Sequence, residues 1–212
     1  MNTDWENELD DLRERRKERI ITAAENVFLC KDLAHATIKD IAVEAGVSRP
    51  TIYKYFSSID ELAFEVQIRA LGPVYSLIQE CATGEGTAIE RLDRFFRACI
   101  DNFTKNEQHI RFSSLFDHHF QKTYPDHELE ARYARFLQQY VALENLIKQG
   151  IQDGSLRSDL PVHNSALLIG NLLIAFLQRL ALRGEILARE QNIEPQQQLQ
   201  ELRSMLIAYL KA

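Results

Sequence analysis

The chain has 212 residues, 45% hydrophobic and 26% charged, with a net charge of −6. These values exclude a disordered, collagen-like or disulfide-scaffold protein and leave enough length for a substantial core in one or two domains. The acidic total also argues against a protein that coats nucleic acid indiscriminately, so any such contact must rest on a local basic region.

Residues 1–12 hold five acids and no base, giving −5. Met1-Asn2-Thr3-Asp4 has neither a basic start nor an apolar run, so no secretory signal is expected and the reading is a soluble intracellular protein. Trp5, Leu9 and Leu12 share a helical stripe, so this leader can extend a first helix, frayed or turned away from phosphate. Arg13, Arg15, Arg16, Lys17 and Arg19 then open a long helix that continues through Ala24 and Phe28. Residues 13–56 carry nine Lys/Arg against six Asp/Glu, so this stretch is locally basic at +3.

The most informative segment is residues 37–56. Thr37 is a good N-cap, with Asp40 three positions on in the first turn. Ile38, Ile41, Ala42 and Ala45 fall on one face, and the two alanines permit close approach of another helix. Gly46 sits where a left-handed residue ends a helix, and Val47 turns back to the core. Ser48 caps a second helix with Pro50 in its first turn. Ile52 and Phe56 anchor its inner face. Two capped helices around a glycine turn make a helix-turn-helix, which lays its second helix in the DNA major groove. The expected DNA-binding residues are Thr37, Ser48, Arg49, Pro50, Thr51, Tyr53, Lys54, Tyr55 and Ser58. Arginine can pair with guanine O6 and N7, threonine can meet a thymine methyl, and Lys, Tyr and Ser hold phosphates.

Ala24 and Phe28, Thr37-Ile38, Ile41-Ala42, Ala45-Gly46-Val47-Ser48, Thr51-Ile52-Tyr53, Tyr55-Phe56 and Glu61-Leu62 together resemble the TetR family of bacterial repressors. The resemblance covers about the first quarter of the chain. It implies an all-α protein: an N-terminal three-helix helix-turn-helix DNA-binding domain, here 13–57, and a C-terminal helical ligand-binding and dimerisation domain, here 58–212. It also implies a homodimer on a pseudo-palindromic operator, with effector binding displacing the helix at 58–71 and changing the spacing of the reading helices. Two positions depart from the pattern. Ile59 stands where the family often has lysine, and Pro50 where glycine is common. The first removes a phosphate contact that Ser57 and Ser58 are expected to replace.

Further along, a helix over 58–71 is predicted to kink or break at Gly72-Pro73, with a continuation to Cys81. Thr83-Gly84-Glu85-Gly86 reads as a turn, and Thr87 with Glu90 as a capping box opening the next helix. Another helix spans about 107–121. Asp126 opens one long helix to about Gln152, Pro161 one to 183 stopped at Gly184, and Pro195 the last, to Leu210. Ten of the 19 aromatics lie between Leu92 and Tyr140, so this region is expected to hold an apolar or aromatic effector. The candidate pocket residues are Phe64, Ile68, Phe96, Cys99, Phe103, Phe112, Phe116, His119, Tyr133, Phe136 and Tyr140. The segment Leu167–Leu182 is apolar around most of its circumference but interrupted by Asn171, Gln178 and Arg179, which reads as a covered helix and not a membrane span. With the last helix it forms the candidate dimer interface: Leu167, Gly170, Leu173, Ile174, Leu177, Leu202, Leu206 and Tyr209.

Cys30, Cys81 and Cys99 have no metal-like spacing, and neither metal nor cofactor is expected. No hydrolase, metalloprotease, P-loop or dinucleotide motif occurs, so an enzyme is not the reading. The remaining rival is a helical adaptor that has lost specific DNA binding, supported by Ile59 and the acidic leader. A salt series on genomic fragments separates the two, because counterion release makes a DNA binder lose affinity steeply with salt.

Overall fold

The computed structural model describes residues 3–212, and the side chains of 8–138 and 140–212. The described residues form α1 (Thr3–Lys31), α2 (Ile38–Ala45), α3 (Arg49–Tyr53), α4 (Ile59–Ala82), α5 (Ala88–Lys105), α6 (Glu107–His119), α7 (His127–Leu137), a 3-10 turn (Gln138–Tyr140), α8 (Val141–Gln152), α9 (Val162–Gln191) and α10 (Pro195–Leu210). Among them there is no strand, only an isolated bridge between Leu156 and Lys211. The leader is helical from Thr3, as an extension of α1 and not a frayed end; the side chain of Trp5 lies outside the described residues.

Packing divides the chain into two units. The first comprises Met1–Ala70 and Phe112–Tyr133, the second Leu71–Arg111 and Ala134–Ala212. The first half of α4 and the segment Phe112–Tyr133 therefore pack with the three-helix head, beyond the expected boundary at 57/58. In the first unit Ile20, Ala24, Phe28, Ile41, Ile52, Phe56, Leu62 and Phe64 are buried almost completely. An aromatic cluster continues this core: Phe64 lies 5.0 Å from Phe116, 5.2 Å from Phe120 and 5.6 Å from Tyr133, and Phe28 lies 5.7 Å from Phe112.

The second unit packs α5, α8, α9 and α10 around Leu92, Phe96, Cys99, Leu146, Ile147, Leu173, Leu177 and Leu206. Thr87 and Glu90 form the expected capping box. Three expectations fail here for identifiable reasons. Of the kink or break expected at Gly72-Pro73, the break does not occur: α4 is continuous there, with Val74 and Ile78 buried on one side and Pro73 exposed on the other. The α9 helix runs through Gly184 to Gln191, and Asn192 at φ +53° ends it. Gly184 is a packing position: a Cβ there would stand 3.3 Å from Pro195 Cγ, where α10 begins. The single helix expected over 126–152 is divided by the 3-10 turn, with no Gly or Pro to mark it.

Gly150 went unnoticed in the sequence yet is the tightest glycine in the second unit. An added Cβ would lie 2.4 Å from Leu156 Cγ and 2.9 Å from Ala88 Cβ. Gly150→Ala is expected to destabilise the protein by about 1–3 kcal/mol through overpacking. A urea midpoint equal to wild type would show that Leu156 yields freely.

Candidate nucleic-acid interface

Thr37 Oγ1 accepts the Asp40 N–H at 3.2 Å, and the Asp40 carboxylate accepts the Thr37 N–H at 3.1 Å, a reciprocal cap at the start of α2. Lys31 Nζ lies 2.7 Å from the same carboxylate; its hydrogen bond, aided by Thr37, holds Asp40 below the usual carboxylate range. Gly46 closes α2 at φ +62°, a conformation that strains any residue with a Cβ. Ser48 Oγ then caps α3, accepting from Thr51 N at 3.3 Å.

Ile52 and Phe56 are 0% and 2% exposed, so the inner face of the reading helix is fixed in the core. That leaves Arg49, Pro50, Tyr53 and Lys54 exposed on the other side, together with Ser48 and Thr37. Thr51 and Tyr55 are half-buried. The Thr51 hydroxyl shares a 2.8 Å hydrogen bond with Ser48 Oγ, so its methyl is the group left to meet a base. Ser57 and Ser58 do not simply replace the missing lysine. Ser57 gives both its N–H and its hydroxyl to Glu61, and Ser58 Oγ accepts the Glu61 N–H while keeping its own proton to donate. On α2, Lys39 is exposed and Val43 is 76% exposed, four residues apart on the outer face. The sequence reading passed over both; the signal was their position opposite Ile41 and Ala45. In the basic run, Lys17 lies 4.0 Å from Glu65 and Arg13 3.1 Å from Asp10, while Arg15, Arg16 and Arg19 are exposed.

A buried, capped helix pair that presents Arg, Tyr and Lys outward defines a helix-turn-helix DNA-binding regulator. Residues 20–66 match the profile of the bacterial regulatory proteins of the tetR family. Over these residues the chain carries a DNA-binding segment of the tetR type. It is 24% identical over 147 residues to the transcriptional repressor KstR2 of Mycobacterium tuberculosis strain H37Rv, covering 69% of this chain and 72% of that protein. Its fold is that of the Bacillus subtilis regulator FadR in complex with stearoyl-CoA: TM-score 0.73, 18% identity, 91% of this chain and 98% of that one. The regulator MbdR from Azoarcus sp. CIB matches at TM-score 0.70 and 24% identity, over 93% and 100%.

The expected pocket residues divide between two clusters. Phe64, Phe112, Phe116 and Tyr133 are buried in the first unit, with Ile68 half-buried. Phe96, Cys99 and Phe103 are buried in the core of the second. Phe136 and Tyr140 are half-buried there, against Tyr75 at 4.8 Å and His163 at 6.1 Å. His119 is exposed at the end of α6, its ring edge-on to Phe120 at 4.7 Å, so it does not point inward as expected. The sequence also missed Gln67. It is 1% exposed, its Nε2 donates to Ser113 Oγ and Tyr133 OH at 3.1 Å each, and its Oε1 is buried without a partner.

The expected interface residues divide similarly. Leu173, Leu177 and Leu206 are core residues of the second unit and cannot face a partner chain without unpacking it. Leu167 is exposed, Gly170 has open space where a Cβ would stand, and Ile174, Leu202 and Tyr209 are half-buried. The outward apolar residues of α9 are Leu168, Leu172, Leu182 and Ile186, with Met205 on α10. By length and hydropathy α9 could cross a membrane, but its Ile169–Leu173–Leu177–Leu180 face is in the core, and Asn171 and Arg179 interrupt the exposed side.

Proposed function

We propose that the protein is a homodimeric repressor that reads a pseudo-palindromic operator with α3, works in the bacterial cytoplasm, and releases DNA when it binds a largely apolar effector of the acyl-thioester class. The observation that carries the DNA reading is the outward set Arg49, Tyr53 and Lys54 on a helix anchored by Ile52 and Phe56. Arg49 reads a base edge, while Lys54, Tyr53 and Lys39 hold phosphates. The acyl-thioester assignment draws on the stearoyl-CoA held by the Bacillus subtilis FadR. It is supported here by Gln67, whose buried acceptor lies in an apolar aromatic setting and would be satisfied by an amide N–H of a pantetheine arm.

In vitro selection with the purified protein, followed by affinity measurements over a salt series, tests the first part. A specific fragment bound with a steep salt slope is the expected result. Arg49→Ala is expected to cost about 1–3 kcal/mol and to relax preference at one base pair in each half-site. Equal weakening on all sequences would reassign Arg49 to phosphate positioning. Titration with stearoyl-CoA and with free CoA tests the second part. Release by the first alone supports the assignment, and release by neither removes it.

A further inference from the structure

The α7 helix contributes a side chain to the reading head that sequence reasoning gave no role. Arg132 sits on α7 in the first unit and faces two carboxylates of α4. Its Nη2 lies 3.0 Å from Glu65 Oε1 and its Nη1 3.5 Å from Glu61 Oε1. The other oxygen of Glu61 accepts the Ser57 N–H at 2.6 Å and the Ser57 hydroxyl at 2.8 Å. Ser57 directly follows Phe56, the buried anchor that ends the helix-turn-helix. The second oxygen of Glu65 lies 4.0 Å from Lys17 on α1. One guanidinium therefore bears on a pair of carboxylates that hold the far end of the reading unit and the first helix. Around it Ser57, Glu61, Asp126, Glu128, Leu129 and Arg132 line a small hollow of about 110 Å³.

From this geometry we infer that Arg132 is a positioning residue for DNA reading, acting through Glu61 on Ser57 and not by touching DNA. Glu61 and Glu65 are four apart on one helix face, where like charges repel. Arg132 and Lys17 neutralise them. Without Arg132, Glu61 is pushed from Glu65 and its grip on Ser57 changes, which moves the end of the reading unit relative to its core anchor. Arginine suits the task because its planar fork can meet two carboxylates at once, which a lysine point charge cannot. The Arg132 head is one-third exposed, so its removal leaves the fold standing.

The test uses the full-length protein and a DNA fragment selected with wild type. Arg132→Gln is expected to lower affinity about five- to tenfold, in the range of neighbouring coupled groups, with Arg132→Lys intermediate. The salt slope should stay at the wild-type value, since no phosphate contact is lost. Ser57→Ala should lower affinity on its own but add little to Arg132→Gln, because both act through Glu61. The exposed neighbour Arg135→Gln should bind as wild type. Three results would overturn the inference: wild-type affinity in Arg132→Gln, a salt slope reduced by about one (a direct phosphate contact), or fully additive losses in the double variant. Failure of wild type to select any fragment would instead sink the DNA reading itself.

Discussion

Leu172→Glu combined with Leu182→Glu is expected to convert the protein from dimer to monomer and to weaken binding to a two-half-site operator by about 10²–10⁴-fold, the scale of lost bivalency. Leu168, Leu172, Ala175, Arg179, Leu182 and Ile186 fall at alternating spacings of four and three along α9, the repeat of a helix-packing seam. Leu168, Leu172, Leu182 and Ile186 are 50%, 44%, 48% and 39% exposed, and Met205 of α10 is 68% exposed. A cluster this apolar on a water-facing helix marks an interaction surface. Asn171 beside it and Arg179 within it suit a protein partner better than lipid. Glutamates at Leu172 and Leu182 would bury two like charges per chain on pairing, which is costly even with Arg179 in the seam. Sedimentation reads the assembly, and binding to full and half operators reads the consequence. Half-site affinity should be preserved, since α3 belongs to the first unit. Leu12→Glu, 59% exposed on α1, serves as control and should stay dimeric. A double variant that remains a dimer would place the interface elsewhere.

The helix-turn-helix was legible almost residue by residue because its determinants are local. Thr37, Gly46, Ser48 and Pro50 each set a backbone angle or a cap within four residues, and the structure uses them in those roles. What escaped the sequence was set by distant partners. Gly184 looks like a stop, but Pro195 presses on it from the next helix, and Pro73 looks like a break, but Val74 and Ile78 hold the helix together from the core side. An α9 that is apolar around most of its circumference carries two competing stripes, and spacing alone does not tell core from interface, so the sequence puts Leu173 and Leu177 outward and hides Leu168 and Leu172. The pocket list mixed two cores for the same reason, since aromatic content along a chain does not reveal which residues share a cluster. Gln67 and Arg132 are ordinary polar residues by spacing; only their partners single them out.

Arg69→Met is expected to destabilise the protein by about 3 kcal/mol, toward the lower end for a broken buried pair because the arginine head is 23% exposed. Arg69 lies on α4 one residue before the packing division and donates to Thr22 Oγ1 at 2.8 Å and to the Ile21 carbonyl at 3.4 Å on α1. It also pairs with the carboxylate of Glu25, which is 2% exposed, and lies 3.8 Å from Glu18. Methionine keeps the apolar stem but removes the guanidinium that pairs with the buried Glu25 carboxylate. Removing one member of a buried pair costs more than the pair contributes, so Glu25→Leu with Arg69→Met should recover much of the lost stability, although Thr22 Oγ1 and the Ile21 carbonyl still lose their donor. A purely additive sum of losses would instead mean that Arg69 acts through Thr22 and Ile21 alone. The double variant also isolates what the pair does for function. It restores the α1–α4 contact with apolar groups that lack its directionality, and α4 contains the segment 58–71 whose displacement the family resemblance implies. Stability near wild type, with a changed stearoyl-CoA concentration for release, would assign the pair to coupling. Stability and release both near wild type would leave it a packing element that hydrophobic groups can replace.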